Sequence, residues 1–212
     1  MIKKIIIIGA RGFGREIHDF IKNLNSFNYR YNVLGFLDDK ADALDGFCGY
    51  APIISSVEEY VPKKDEYFFC ALGDAFAREM YTNIIKNKGG QLVSLIHPTS
   101  IINGNAVIGE GVLISAYSLV SSYVKIGDNT IIHPFCDLGH DTEIADNCTI
   151  ESYSFFGGFS KVGHHTTIHT RSTILPHIVI GDNVSVGAGS VVIRNVKSGT
   201  SIFGVPAKKI EF

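Results

Sequence analysis

The segment LGHDTEIADNCTIESYSFFGGFSKV, residues 138–162, carries a large apolar residue at every sixth position. Leu138, Ile144, Ile150, Phe156 and Val162 occupy these positions, and small or polar residues fill most of the places between them. An amphipathic helix repeats every 3.6 residues and a half-buried strand every two, so neither explains a period of six. The segment therefore predicts a series of short elements that each bury one large side chain.

The same period continues in both directions without a break. All sixteen positions that fall on it between residues 102 and 192 are apolar, and fourteen of them are β-branched. Fifteen of the sixteen residues that lie four places further on are small or modest in size. The sixteen apolar positions are Ile102, Ile108, Ile114, Val120, Ile126, Ile132, Leu138, Ile144, Ile150, Phe156, Val162, Ile168, Ile174, Ile180, Val186 and Val192.

A period of six with one large and one small inward residue is typical of a hexapeptide parallel β-helix. Three short strands complete a coil of 18 residues, so residues 96–196 predict about five and a half coils. Each buried aliphatic side chain contributes roughly 1.5–3 kcal/mol before chain entropy is subtracted. We expect an all-β domain over 96–212 that includes a capping tail after Val196, because a solenoid needs covered ends.

Residues 1–95 have a different pattern. They predict a buried strand at 3–8, a helix at about 13–24, a second strand ending at Asp38, a third strand within 66–74 and a helix over 75–89. Strands that alternate with helices favour a small, mostly parallel, Rossmann-like α/β domain.

Ligands bind such sheets beyond the carboxyl ends of the strands. The glycines after the first strand are spaced GxxGxG, unlike the GxGxxG of dinucleotide enzymes, and a tight turn alone would also explain them. A helix N-terminus favours a phosphate, and a carboxylate after the second strand can bind a ribose hydroxyl or a base edge. We therefore expect a nucleotide-bearing ligand, with NAD as a lesser alternative, and we assign its binding to Gly9, Gly12, Gly14, Asp38, Asp39 and Gly73.

Composition excludes several classes of protein. The 212 residues are 45% hydrophobic and 19% charged with a net charge of −2, which argues against a nucleic-acid binder. The isoleucine run at 5–8 is too short to span a membrane, and no signal-peptide cleavage region follows it, so we expect a cytoplasmic location. The four cysteines form no CxxC pair, which favours free thiols over a zinc site.

The hexapeptide array, the elements GARGFG, GFLDD, GHD and VGAGSVV, and the ending GVPAKKI at 204–210 together resemble one family. The family is that of the left-handed β-helix acyltransferases. Within it, the resemblance is to the bacterial sugar acetyltransferases that O-acetylate sialic acid or N-acetylate nucleotide-linked 4-amino sugars. The resemblance covers essentially the whole chain. It implies left-handed coils, a homotrimer with active sites between subunits, acetyl-CoA as co-substrate without a metal, and a nucleotide sugar as acceptor in polysaccharide biosynthesis.

The resemblance also implies roles for individual residues. His140 matches the family's catalytic histidine and Asp141 its acidic neighbour, and an imidazole has a suitable pKa for a base near neutral pH. Gly158 lies one coil further on, where we expect its amide to stabilise the oxyanion. We expect acetyl-CoA to contact Gly157, Gly158, Ala188, Lys208 and Lys209.

Other histidines have simpler interpretations. His164, His165 and His177 fall at predicted corners, where a solvated imidazole costs nothing. His133, Glu151 and His169 recur at intervals of 18 and should stack, as a metal site or, more simply, as a polar ladder or a subunit contact.

The preferred hypothesis is N-acetylation of a nucleotide-activated amino sugar, with His140 as general base. O-acetylation of a sugar or of sialic acid would use the same residues. Acyl transfer to an amino acid such as serine, or a non-enzymatic trimeric scaffold, are the remaining alternatives.

Overall fold

The computed structural model describes residues 2–210. The chain divides into two compact units between Ser94 and Leu95. In the described part of the chain, no helix is both long enough and apolar enough to cross a lipid bilayer.

The N-terminal unit is a five-stranded parallel sheet with the strand order β3-β2-β1-β4-β5. The central strand is the isoleucine run, whose residues Ile5–Ile8 are buried on both faces of the sheet. The structure confirms the expected strands and helices and adds the short strands β3 and β5. The elements are β1 Lys3–Ile8, α1 Gly12–Ser26, β2 Tyr31–Leu37, β3 Ile53–Ser55, β4 Glu66–Cys70, α2 Ala75–Asn87 and β5 Gln91–Leu92.

The C-terminal unit is a left-handed parallel β-helix. Two-residue strands recur every six residues, and each one up to 173–174 pairs in parallel with the strand 18 residues further on, as Leu119 pairs with Asp137. The strands are β6 Leu95–Ile96, β7 Ile101–Ile102, β8 Val107–Ile108, β9 Leu113–Ile114, β10 Leu119–Val120, β11 Lys125–Ile126, β12 Ile131–Ile132, β13 Asp137–Leu138, β14 Glu143–Ile144, β15 Thr149–Ile150, β16 Phe155–Phe156, β17 Lys161–Val162, β18 Thr167–Ile168, β19 Thr173–Ile174, β20 Val179–Ile180, β21 Ser185–Val186 and β22 Val191–Val192.

The core of the β-helix consists of the predicted large and small positions. Fourteen of the sixteen large positions, Ile114 to Val192, are buried within one apolar cluster, and Ile102 and Ile108 pack against it. The small positions lie beside them, and several are hydroxyl groups that bond to backbone carbonyls, as Thr130 does to Ala145 at 2.9 Å. The inward alternation of one large and one small side chain is therefore what closes each coil.

Beyond the last coil, the chain forms a hairpin. The strands β23 Ser201–Gly204 and β24 Ala207–Lys209 pair antiparallel, and β23 continues the sheet that contains β21. Ile202 of this hairpin is buried in the β-helix core, so the tail caps that end as the sequence predicts.

Four residues separate successive strands, and the first three of them turn the chain, which creates three edges along the β-helix. We name each edge after one of its residues. The third residue of most corners has a positive φ although it is not glycine, as at Asp141, where φ is 58°. The His140 edge comprises residues 103–105, 121–123, 139–141, 157–159 and 175–177. The Asp146 edge comprises residues 109–111, 127–129, 145–147, 163–165 and 181–183. The Ala188 edge comprises residues 97–99, 115–117, 133–135, 151–153, 169–171 and 187–189.

Candidate active site

The corner that follows β13 presents a paired imidazole and carboxylate to solvent. His140 is 60% exposed, and its Nδ1 lies 2.8 Å from Oδ2 of Asp141. A carboxylate only accepts hydrogen bonds, so the contact fixes Nδ1 as the protonated nitrogen and leaves Nε2 as an acceptor. Asp141 has a left-handed backbone conformation, and its side chain lies against the ring. The pair is therefore oriented to take a proton at Nε2.

Gly158 lies one coil above His140 on the same edge. A Cβ atom at this position would lie 2.7 Å from both Nε2 and Cε1 of the imidazole. Any side chain here would displace the ring, so the glycine is needed for the backbone to approach the basic nitrogen.

The amide of Gly158 is open to an external acceptor. Among residues 2–210 its N–H donates to no other group. At the same corner position of the Asp146 edge, the N–H groups of Glu110 and Asp128 are each capped by an aspartate one coil above, at 2.9 and 2.8 Å. Above Gly158 the corresponding residue is Pro176, which has no carboxylate to offer. An unsatisfied donor therefore lies beside the imidazole.

Aromatic side chains close one side of this corner. Phe159 meets the His140 ring edge-on, with ring centroids 5.1 Å apart, and stacks on His177 at 5.0 Å. A shallow cavity of about 400 Å³ runs alongside, lined in part by Asp141, Phe159 and Glu143. Hydrogen bonds from Lys161 and Lys125 lower the pKa of the Glu143 carboxyl, which therefore stays ionised at neutral pH.

Of the residues expected to bind the cofactor, the structure brings Gly158 to His140 but not Ala188, Lys208 or Lys209 within one chain. Ala188 is exposed on a different edge, and Lys208 and Lys209 are exposed on successive residues of β24, so their side chains point to opposite faces. Gly157 is buried, and a Cβ there would lie 2.5 Å from the Pro176 ring, so packing alone explains this glycine. A site that combines His140 with Ala188 needs two copies of the chain.

A second candidate site lies in the N-terminal unit, beyond the carboxyl ends of β1 and β2. This cavity of about 480 Å³ is lined in part by Gly9, Arg11, Asp39 and Tyr81. The helix α1 begins beside it with Arg11 as N-cap, whose side chain caps no amide, and its first turn has no acidic residue. Among residues 2–210, the N–H of Gly12, the first residue of this helix, donates to no group and is thus available to an anion.

The six residues expected to bind the nucleotide differ in role. Gly9 and Asp38 line the cavity, whereas Gly12, Gly14 and Gly73 lie outside its lining. A Cβ on Gly14 would lie 2.0 Å from the Gly9 carbonyl oxygen, so packing of α1 against β1 explains this glycine. Around Gly12 and Gly73 a Cβ would meet nothing within 4 Å, so no packing constraint explains either.

The two aspartates also differ. Asp38 accepts the Ala10 N–H at 2.8 Å and the Lys40 N–H at 2.9 Å, so it fixes the two turns that form the cavity wall. Within residues 2–210, Asp39 accepts a hydrogen bond from the Tyr81 hydroxyl alone, at 3.2 Å. Burial, together with the Asp39 charge, raises the pKa of Tyr81, which remains a neutral donor. Asp39 is therefore the more available acceptor.

Sequence reasoning missed Arg78 and Tyr81 of α2. The Arg78 side chain is fully buried, and its Nη1 donates to the carbonyl oxygens of Leu72 and Gly73 at 2.8 and 3.2 Å. It thereby holds the loop that follows β4. The spacing of three residues places both side chains on one face of the helix, which is the signal that could have identified them.

Two of the three polar residues predicted to stack, Glu151 and His169, form a polar pair on the Ala188 edge. Glu151 and His169 are in contact, with 3.1 Å between Oε1 and Nδ1. Among residues 2–210, no group of three or more His, Cys, Asp or Glu side chains is placed to hold a metal ion. The four cysteines form no disulfide, and Cys48 is the exposed member.

Comparison with known proteins agrees with this division of the chain. Residues 4–85 match the PglD N-terminal domain, and residues 123–158 and 159–194 each match the bacterial transferase hexapeptide (six repeats). The UDP-N-acetylbacillosamine N-acetyltransferase of Bacillus subtilis (strain 168) is 28% identical over 119 residues, which is 54% of this chain and 52% of that protein. The match therefore spans about half of this curated relative.

Two solved structures are similar over nearly their whole length. PerB from Caulobacter crescentus, in complex with CoA and GDP-perosamine, is 25% identical to this chain with a TM-score of 0.87. The match covers 100% of this chain and 99% of the PerB chain. The acetyltransferase domain of PglB from Neisseria gonorrhoeae FA1090 is 25% identical to this chain with a TM-score of 0.89. The match covers 98% of this chain and 100% of the PglB domain.

Proposed function

We propose, from the premise that this chain belongs to the bacterial hexapeptide-repeat transferases with a PglD-type N-terminal domain, that it N-acetylates a nucleotide-linked amino sugar with acetyl-CoA as donor. The observation that carries the proposal is the open corner of the β-helix, where a proton-accepting imidazole lies beside an unsatisfied amide. Acyl transfer from a thioester to an amine needs these two groups.

In the proposed reaction His140 is the general base. The amine of the acceptor attacks the thioester carbonyl carbon, and Nε2 takes the proton that the nitrogen loses. Asp141 holds the ring in the tautomer that can accept this proton and stabilises the imidazolium. The His140 ring then returns the proton to the departing CoA sulfur.

The Gly158 amide stabilises the developing oxyanion. It is preorganised, because the coil below and the coil above fix its backbone through the bonds Phe159 N–H to His140 O and His177 N–H to Gly158 O, both 3.0 Å. A donor held in this way costs no reorganisation when charge develops on the carbonyl oxygen.

The donor binds between copies of the chain in a homotrimer. His140 and Ala188 lie on different edges of one β-helix, so a second copy must supply the Ala188 edge to contact the pantetheine arm. Stacked aromatic side chains on that edge support such an assembly: Tyr117, Phe135 and Tyr153 are exposed and lie 5.2 and 4.9 Å apart. Lys208 or Lys209 meets the CoA phosphates.

The nucleotide part of the acceptor binds in the N-terminal cavity. The open amide of Gly12 and the Arg11 side chain suit a diphosphate, and Asp39 suits a ribose hydroxyl or a base edge. The free cysteines suit the reducing cytoplasm, where we place the reaction.

The experiment measures CoA thiol release and product mass with acetyl-CoA and a panel of UDP-, dTDP- and GDP-linked 4-amino sugars. We expect one of these to be acetylated on nitrogen. Free sialic acid and serine serve as competing acceptors. Acetylation of sialic acid alone would favour O-acetyl transfer, and the absence of both CoA binding and transfer would contradict the proposal.

A further inference from the structure

A loop of the N-terminal unit is held on helix α1 by one face of that helix. The loop comprises residues 38–52, which join β2 to β3. The α1 side chains that contact it are spaced three and four residues apart, so they lie on the same face. They are Arg15, His18, Asp19 and Lys22. The guanidinium of Arg15 lies 3.6 Å from the centroid of the Phe47 ring.

Two further contacts are hydrogen bonds between charged side chains of α1 and polar groups of the loop. Nζ of Lys22 donates to the Gly49 carbonyl oxygen at 2.9 Å, and Oδ2 of Asp19 accepts the Tyr50 hydroxyl at 3.3 Å. Among the four contacting residues, histidine is the type that changes charge between pH 5 and 8. The contact of His18 is therefore the one that can make docking of the loop depend on pH.

The contact of His18 requires a neutral imidazole. The side chain is 5% exposed, and its ring contacts those of Phe36 and Tyr50, with centroids 5.8 and 5.1 Å away. Its Nε2 accepts the Ala51 N–H at 3.3 Å, and its Nδ1 lies 3.5 Å from Oδ1 of Asp19. Protonation would place a second N–H opposite the Ala51 N–H, because both ring nitrogens of a charged histidine are donors. The bond to the loop would then be lost.

The surroundings of His18 disfavour its charged form. Burial lowers the pKa of the imidazole most, Asp19 raises it, and the Lys22 charge lowers it. On the loop, desolvation and the Asp19 charge raise the pKa of Tyr50, so its hydroxyl remains a neutral donor. In a released loop the ring returns to water and to an ordinary pKa of about 6.5. Proton binding therefore favours release, and the stability of the docked loop is present above about pH 6.5 and lost as the pH falls below it.

The same loop and helix form the walls of the cavity in the N-terminal unit. The helix α1 begins beside the cavity with the open amide of Gly12, and Asp39 and Lys40 near the start of the loop line it. Val57, just beyond β3, lines it as well. Docking of the loop on α1 thus fixes the carboxylate side of the cavity relative to the side that suits a phosphate.

We propose that His18 is a pH-sensitive switch that controls nucleotide binding in this cavity. With a neutral ring the loop is docked on α1 and the cavity has its binding form. Protonation of the ring releases the loop and lowers the affinity for the nucleotide, so mild acidification reduces acetyl transfer. The inference rests on the proposed function, which places the nucleotide in this cavity.

Hydrogen exchange of the Ala51 N–H measures release of the loop in the whole protein. The equilibrium constant for release should rise by up to about 10-fold between pH 7.5 and 5.5, because the released ring binds the proton more tightly. The protection factor of this amide, corrected for the intrinsic exchange rate, should fall by the same factor. In His18→Gln it should stay constant, because an amide oxygen accepts the N–H at either pH. The matched control is the Tyr31 N–H, which Oδ1 of Asn25 accepts at 2.9 Å and whose protection should not change.

A second measurement links the loop to the cavity. A ligand that binds only the docked form suppresses release by a factor of 1 + [L]/Kd, which is about 10² at 100 times Kd. The probes are UDP, dTDP and GDP, each titrated at pH 7.5. The one that binds should raise the Ala51 protection factor by about 10²-fold at that concentration.

The wild-type exchange profile decides the question even if the variant does not fold. Equal protection of the Ala51 N–H at pH 7.5 and 5.5, or an equal fall in His18→Gln, would overturn the switch. Binding of a nucleotide without any change in this protection would overturn its control of the cavity and leave the proposed function intact. If none of the three nucleotides binds, the proposed function fails at its nucleotide site and this inference fails with it, so the two failures are distinguishable.

Discussion

Replacing Gly158 by alanine tests the geometry around His140 directly. The new Cβ would lie 2.7 Å from Nε2 and Cε1 of the imidazole, whereas unstrained non-bonded atoms lie about 3.5 Å apart. The ring must therefore move by about 0.8 Å, or turn out to solvent, away from the nitrogen it has to deprotonate. A displacement of that order costs about 10²-fold in rate, so we expect kcat for acetyl transfer to fall about 10²-fold.

Stability should change little, because His140 is 60% exposed and an off-rotamer ring costs only about 0.5–1.5 kcal/mol. The assay is CoA thiol release at saturating acetyl-CoA, with the unfolding midpoint measured in parallel. Gly104→Ala is the matched control: Gly104 occupies the same corner position three coils earlier, and a Cβ there meets nothing within 4 Å. A Gly158→Ala enzyme with wild-type kcat, or an equal loss in Gly104→Ala, would refute the reasoning.

Three further predictions concern orientation, packing and pH. Asp141→Asn should lower kcat by about 10- to 10³-fold in the same assay, because the imidazole loses its preferred tautomer; unchanged turnover would remove Asp141 from the mechanism. Ile150→Ala, at a fully buried core position, should lower the free energy of unfolding measured in urea by about 2–5 kcal/mol. Lys125→Ala, at an exposed ion pair, is the control and should change that free energy by less than about 1 kcal/mol. Equal effects of the two substitutions would contradict the assigned core. Burial lowers the pKa of His18, whose Nε2 accepts the Ala51 N–H at 3.3 Å, so the unfolded chain binds a proton at higher pH than the folded one. The stability from His18 is therefore present above about pH 6.5 and lost as pH falls below it, and urea titrations at pH 7.5 and 5.5 should show a smaller loss in His18→Gln than in the wild type.

The β-helix could be predicted in detail because its periodicity is a direct record of packing. A residue such as Ile150 is buried by the coil above and the coil below, and each inward position depends only on the residues 18 places away. The period of six therefore placed every strand from Ile101 to Val192. The hairpin after β22 has no such period, so only a cap could be predicted there.

The candidate site was predictable only in part. The pairing of His140 with Asp141 follows from their adjacency at a corner, and the stacking of Gly158 follows from the coil length. That the Gly158 amide is open depends on Pro176, two coils from the histidine, and periodicity does not reveal it. In the N-terminal unit, the separate roles of Asp38 and Asp39 depend on which turn each carboxylate bonds to, as does the buried position of Arg78.

The measurement closest to the central claim is the single-turnover rate of acetyl transfer in His140→Ala with a nucleotide-linked amino sugar that the wild-type enzyme acetylates. Removal of the general base should lower this rate by about 10²–10⁴-fold and leave the KM for acetyl-CoA nearly unchanged. A His140→Ala enzyme that transfers acetyl groups at the wild-type rate would show that another group takes the proton, and the chemistry assigned to this corner of the β-helix would be wrong.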